Sequence, residues 1–276
     1  MIDAHVHLWD PAARERAGAT LAPLRRAYTV DELRRHAAAA GVARAILVQT
    51  VGDVAETEQF LATAASSGGL IGGVVGWTDL ASPSIADDVA RLRGRPGGDL
   101  LVGIRHQVED EPSAAWLLGD DVARGIASVG AAGLVYDLLV RGGGLDVCAA
   151  VADAHPGVRF VLDHAGKPSI AGGGLDTWRR ELAELARRDH VAVKLSGLVT
   201  EAAWDSWTVD DLAPVAEHVL DSFGPSRVMF GSDWPVCELA ASYDDVVDAA
   251  ARLLAALSSD ERTDVLERTA ARVYGL

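Results

Sequence analysis

Ile2-Asp3-Ala4-His5-Val6-His7-Leu8-Trp9 is the first strand-like stretch, and it decides between two α/β folds. An open doubly wound sheet places a Gly-rich phosphate turn after its first strand. Here that place is taken by two imidazoles, with no glycine until Gly18. Further apolar runs follow at 45–49, 70–77, 101–105, 133–140, 158–163, 191–195 and 227–231, which makes eight with 2–7. Several are apolar on successive residues, the pattern of parallel strands covered on both faces. The glycines of 70–76 are scattered within a strand and form no phosphate loop. Ala-rich helical segments alternate with these runs: 29–41, 53–65, 84–92, 113–129, 145–155, 175–188, 209–223, 242–257 and a last one from Ser258 toward Tyr274. Thr29 or Asp31 caps the first helix and Gly41 closes it. Acidic residues near helix starts and Arg near their ends suit the helix dipole. Eight βα units in 276 residues predict a (β/α)8 TIM barrel, a single domain over 1–276.

Composition narrows the function. The chain has 25 Lys+Arg against 40 Asp+Glu, a net charge of −15. That balance excludes a nucleic-acid partner, whose phosphates need a basic face. It also argues against an anionic membrane surface. No uncharged apolar run approaches the roughly 20 residues of a membrane span. The N-terminus reads directly into a strand and not into a signal peptide. Cys148 and Cys237 make no disulfide framework, and a cytoplasmic location is expected. Cys148 reads as a core residue, and Cys237 follows a polar strand end. Lys167 and Lys194 are the two lysines among many arginines. Both fall at or just after the ends of strand-like runs, where a compact ammonium does what a guanidinium cannot. Oligomeric state is not readable.

In a barrel, polar residues at the C-terminal strand ends build the active site. His5 and His7, two apart on one strand, project to the same side. Strand six ends in Asp163-His164-Ala165-Gly166-Lys167-Pro168, and strand eight in Gly231-Ser232-Asp233-Trp234-Pro235. His5, His7, His164 and Asp233 form a donor set that suits Zn²⁺, with Mn²⁺ or Fe²⁺ as alternatives. The opposing reading is that they satisfy barrel polar groups and bind nothing. Other strand ends add Arg105 with His106, Tyr136 with Asp137, Lys194 with Ser196, and Trp77 with Asp79. Arg105 is a clamp for planar oxygen pairs or a partner in a salt bridge to Asp137 or a neighbour. His36, His155, His190 and His218 lie in helices or at the wrong end of the barrel and read as structural.

Together, Asp3-Ala4-His5-Val6-His7-Leu8-Trp9, Val161-Leu162-Asp163-His164-Ala165-Gly166-Lys167-Pro168, Lys194-Leu195-Ser196-Gly197-Leu198 and Met229-Phe230-Gly231-Ser232-Asp233-Trp234-Pro235 resemble the amidohydrolase superfamily. They are most similar to its branch of TIM-barrel hydrolases that includes sugar lactonases. The resemblance spans essentially the whole chain, and the strand-six and strand-eight segments are its specific parts. It implies hydrolysis of a lactone of a sugar acid or a related small molecule, with His5, His7, His164 and Asp233 at the centre. It leaves the metal requirement open. Binuclear members carry a bridging lysine or glutamate on strand four, where this chain has Arg105-His106. At most one divalent metal ion, zinc first, is therefore expected.

On that basis Asp233 is the general base that takes a proton from water and returns it to the leaving ring oxygen. His164, Arg105 or His106 holds the developing oxyanion, and Lys194 touches the substrate or that oxyanion. Trp9, Trp77 and Trp234 are candidates to stack on a sugar face or else to pack under loops, and Tyr136 joins the substrate-binding set. The competing readings are a metal-dependent decarboxylase of an unsaturated or aromatic acid, an amide, imide or phosphoester hydrolase, and a silent binding barrel.

Overall fold

A computed structural model describes residues 1–9, 23–141 and 143–276. Eight parallel strands follow one another around a sheet in chain order: β1 (Ile2–Val6), β2 (Arg44–Val48), β3 (Ile71–Gly76), β4 (Leu101–Gln107), β5 (Val135–Leu139), β6 (Arg159–Leu162), β7 (Val191–Leu195) and β8 (Val228–Phe230). Between them run α1 (Val30–Ala40), α2 (Val54–Ser66), α3 (Ile85–Arg93), α4 (Asp120–Ala131), α5 (Leu145–Ala154), α6 (Asp176–Leu185), the short α7 (Leu198–Glu201) and α8 (Val209–Phe223). The chain ends with α9 (Tyr243–Leu253), α10 (Ser259–Thr263), a π-helical turn Asp264–Arg268 and α11 (Thr269–Tyr274). The molecule is a (β/α)8 barrel.

The first and last strands meet beyond the regular ladder. Val6 bridges Trp234 in parallel, His7 N–H donates to the Trp234 carbonyl (2.7 Å), and Asp233 N–H donates to the His5 carbonyl (2.9 Å). Asp3 fastens the same seam. Its carboxylate accepts from the Ser232 backbone N–H (2.8 Å), the His5 N–H (3.2 Å) and the Tyr243 hydroxyl (3.0 Å).

The strand interiors have two storeys. Below, Ile2, Ala4, Ile46, Val48, Val75, Val135, Val161, Ala192 and Met229 fill the barrel, and Ala270 and Tyr274 of α11 close its floor. Above them the interior turns polar with Arg105, Asp137, Asp163 and Lys194, all buried. A second, larger apolar layer lies between sheet and helices.

Local chemistry sets most boundaries. Thr29 caps α1 through the Glu32 N–H, and Gly41 ends it at φ 70°. Ser242 and Asp245 form a capping box on α9. Three sequence expectations change. The segment 113–129 is not one helix: Ser113 caps a 3₁₀ piece, Ala114–Leu118, and α4 starts only after Gly119, whose backbone is extended (φ −64°, ψ 139°). The expected Arg-rich helix ends are absent from α1, α2, α4, α5, α6 and α8, although acidic first turns are present on all of them. Strand four continues past Arg105 to Gln107, so His106 lies within the strand.

Candidate active site

At the mouth, His5, His164 and Asp233 each present one donor atom, all within 4.8 Å of one another. His7 belongs to the same group. Its Nε2 lies 3.2 Å from His5 Nε2 and 3.4 Å from Asp233 Oδ1. All four side chains are buried.

The backbone makes this convergence possible. Two glycines stand where a side chain would collide. A Cβ on Gly231 would lie 2.8 Å from the His5 Cβ. One on Gly197 would lie 2.7 Å from His164 Nδ1 and 3.2 Å from Asp233 Oδ2, and Gly197 is left-handed at φ 64°. His164, Ala165 and Lys167 at the end of β6, and Asp233 after β8, also have positive φ (54°, 51°, 50° and 59°). Such conformations in non-glycine residues cost free energy and gather at functional sites. They turn His164 and Asp233 into the mouth.

Each imidazole is oriented from behind. His7 Nδ1 donates to the Val48 carbonyl at 2.8 Å, which leaves its Nε2 lone pair directed at the cluster. His164 Nδ1 is hydrogen bonded to Ser196 Oγ at 2.9 Å. His5 Nδ1 meets two groups, the Lys194 ammonium (3.2 Å) and Asp163 (3.4 Å). Burial lowers the pKa of all three histidines: His164 to about 4, His7 below its usual range and His5 well below it, with the Lys194 charge adding to the effect on His5. Burial pushes the Asp233 carboxyl up, but His164, His7 and His5 outweigh it and hold the group well below the usual carboxylate range. At neutral pH the site is therefore three neutral imidazoles and one carboxylate. Unprotonated nitrogens packed this closely around a carboxylate lack a proton to share, and that donor set fits a divalent cation.

Arg105 and Lys194 lie behind this group. Arg105 donates to Asp163 Oδ2 (2.9 Å) and to the Gln49 carbonyl (2.6 Å), and its Nη1 lies 3.3 Å from His5 Nε2. Lys194 pairs with Asp137 (2.6 Å) and Asp163 (2.9 Å). Tyr274 donates to the same Asp137 oxygen at 2.8 Å. Burial pushes the Asp137 carboxyl up to about 6 against the pull of Lys194. Asp163, between Lys194, His5 and Arg105, is held well below its usual range although burial opposes this. Both cations are thus positioned on His5 and on carboxylates, not on the open mouth.

The remaining candidates lie outside the central cluster. His106 hydrogen bonds Trp77 Nε1 (3.1 Å) and Glu111 (2.9 Å) and stacks on Trp116 with centroids 4.1 Å apart. It follows Arg105 directly, so it leaves the strand on the opposite side. Tyr136, next to Asp137, is likewise turned outward. It is fully buried against Phe160. Trp234 is fully buried between Tyr28 and His36 and donates to Glu238 (2.9 Å). Trp9 is buried, with its Nε1 on the Leu24 carbonyl (3.2 Å) and its ring 6.4 Å from His7. Trp77 is half-buried beside His106. Cys237 is buried, and burial pushes its thiol far up. Asp137, expected as a salt-bridge partner for Arg105, pairs with Lys194 instead (2.6 Å), while Arg105 pairs with its neighbour Asp163 (2.9 Å). Asp3, Asp163 and Ser196 were not singled out by sequence reasoning as supports. The signal was strand alternation, since each stands one or two residues from a residue that was.

The family model described as Amidohydrolase matches residues 2–276. The chain belongs to the amidohydrolase family. An L-fucono-1,5-lactonase from Burkholderia multivorans is 42% identical to it over 290 aligned positions, covering 100% of this chain and 96% of that one. A second, from Burkholderia ambifaria, is 36% identical over 88% of this chain and 83% of its own. A crystal structure of an amidohydrolase from Burkholderia multivorans with bound zinc superposes at TM-score 0.92 with 41% identity, covering 100% of this chain and 99% of that one. This amidohydrolase is an enzyme. Among its described residues no helix is long and apolar enough to cross a membrane.

Proposed function

We propose that this amidohydrolase opens the ester of a sugar-acid lactone, an aldonolactone of the L-fucono or L-rhamnono kind, in the cytoplasm. The observation that carries the reading is the convergence of His5, His7, His164 and Asp233 at the barrel mouth. The names of the two Burkholderia lactonases support the substrate class.

His5, His7, His164 and Asp233 would hold one divalent ion, zinc in the first instance. Bound there, such an ion supplies positive charge that acidifies water and polarises a carbonyl. Asp233, ionised and backed by three imidazoles, takes a proton from the attacking water. It later returns that proton to the ring oxygen as the ester C–O bond breaks. His164, oriented through Nδ1 by Ser196, turns its other ring nitrogen toward the cluster and would be one of the groups that hold the ion. Arg105 and Lys194 act as positioning residues: they hold Asp163 and His5 in place and keep His5 neutral. Trp77, half-buried beside His106, offers a face to the sugar ring.

A decarboxylase on the same frame needs a free guanidinium for the substrate carboxylate. Arg105 is already bound to Asp163 and Gln49. The test is acid release from a panel of five- and six-membered aldonolactones, corrected for spontaneous opening, with and without a chelator. Enzyme-dependent release that falls with chelator and returns with zinc is expected. Silence across the panel with metal restored would overturn the lactonase reading.

A further inference from the structure

Lys194 is absorbed into the buried support of His5, but Lys167, the other lysine, is not part of that support. It stands at the lip, three residues after His164. Its ammonium meets Glu109 at 2.6 Å. Glu109 lies in a short 3₁₀ turn, Val108–Asp110, directly after β4. Arg141 stands two residues past β5 and reaches both Glu109 (3.8 Å) and Glu201 (3.4 Å). Glu201 ends α7, the short helix that follows β7. Four adjacent strand ends, β4 to β7, therefore contribute one charged residue each to a continuous chain: Lys167–Glu109–Arg141–Glu201. Three of these side chains are largely withdrawn from water, with exposures of 15% for Lys167, 22% for Glu109 and 11% for Glu201. Solvent screens such pairs less than it screens surface pairs. Burial pushes the Glu109 carboxyl up, but Lys167 outweighs it and keeps the group ionised.

The same balance holds deeper in the mouth, where Arg105 meets Asp163 and Lys194 meets Asp137 and Asp163. Among the described residues of strand ends four to seven, each Lys and Arg already has a carboxylate. A lactone that carries its own carboxylate or sulfonate would have to break one of these pairs to find a cation. A polyhydroxylated lactone without charge breaks none. Ring opening then turns the uncharged substrate into a carboxylate, and these four strand ends offer it no open cation.

We propose that the Lys167–Glu109–Arg141–Glu201 lip selects uncharged lactones against anionic ones and weakens the hold on the carboxylate product. This rests on the lactonase reading above and adds the charge class of its substrate. Glu109 and Glu201 are specificity determinants by masking, since each covers a cation that would otherwise attract an anion.

The experiment compares kcat/KM for an uncharged aldonolactone with that for an aldarolactone bearing a free carboxylate, using zinc-loaded protein. Wild type is expected to favour the uncharged lactone. Glu109→Gln uncovers Lys167 and should narrow that preference about tenfold, through KM of the anionic lactone, with the change fading at high salt. Glu201→Gln should act in the same direction but less, because Arg141 is 61% exposed. Lys167→Gln should widen the preference. A merely structural lesion would lower both substrates together and would not respond to salt. Calorimetric titration with the product aldonate gives a readout that needs no turnover, and Glu109→Gln should bind it more tightly than wild type. If wild type opens neither lactone, the hydrolase reading fails while the titration still decides the lip. Wild-type preference for the anionic lactone, or unchanged preference and aldonate affinity in both Gln variants, would overturn the proposal.

Discussion

Two buried aspartates in the same seam have opposite electrostatics, and that difference fixes what each can do. Asp233 is surrounded by His164, His7 and His5 and stays ionised, which a proton acceptor requires. Asp233→Asn preserves shape but cannot take a proton. Its kcat is expected to fall by about 10²–10⁴ with an unchanged circular dichroism spectrum. Near-wild-type turnover would remove the general-base role. Among the described residues Asp3 has hydrogen-bond donors but no cation against it, and burial pushes its carboxyl up from 3.8 to about 6. Between those values the folded protein keeps a proton that the unfolded chain has released. Stability from this group is therefore present in acid and is lost as pH rises through about 6. An amide has no such proton. The melting temperature of Asp3→Asn relative to wild type should thus be higher at pH 8 than at pH 4, and a difference independent of pH would contradict the assignment. The central histidines and Asp233 were legible in the sequence because i, i+2 spacing and strand-end position are one-dimensional features. Whether Arg105 and Lys194 face substrate or carboxylates was not, because Asp137 and Asp163 reach them only through the closed barrel.

The alternation of strands decides which neighbours of a site residue belong to the site. Arg105 and Asp137 point inward, so His106 and Tyr136 point elsewhere. Counting parity from the inward histidines would have separated these pairs, except that the register shifts at the β1–β2, β2–β3 and β3–β4 pairings. The break at Gly119 was hidden for a different reason: residues 113–129 have helical periodicity on both sides of a glycine that the helix itself would tolerate. Where the chain bends back on itself, small residues matter more than pattern. Gly197 separates β7 from α7 and lies against both His164 and Asp233. Gly197→Ala combines a left-handed backbone with a collision against a metal-binding candidate. It is expected to lose zinc, measured by atomic absorption after gel filtration, and most activity with it. Retained zinc at wild-type stoichiometry would show that the loop relaxes. Farther away, a Cβ on Gly125 of α4 would lie 2.1 Å from the Leu80 carbonyl. Gly125→Ala should destabilise by about 1–3 kcal/mol in urea while leaving KM alone.

For the molecule as a whole, the barrel was legible from eight apolar runs at crossover spacing, and the apolar lower storey follows from the same runs. Its floor was not legible, because Tyr274 sits in a polar-looking final helix and reaches Asp137 across a separation of 137 residues. Tyr274→Phe removes that bond and leaves a buried carboxylate with one donor fewer. A loss of about 2 kcal/mol in denaturant unfolding is expected, and no loss would mean that Lys194 alone satisfies Asp137. The seam between β1 and the segment after β8 has a consequence for synthesis. His5 and His7 leave the ribosome long before Asp233, so the nascent first strand keeps an open edge until the segment after β8 has been made. A chain interrupted before residue 233 lacks one side of that junction. The candidate metal-binding cluster therefore forms only in a chain that carries both the first strand and the segment after β8.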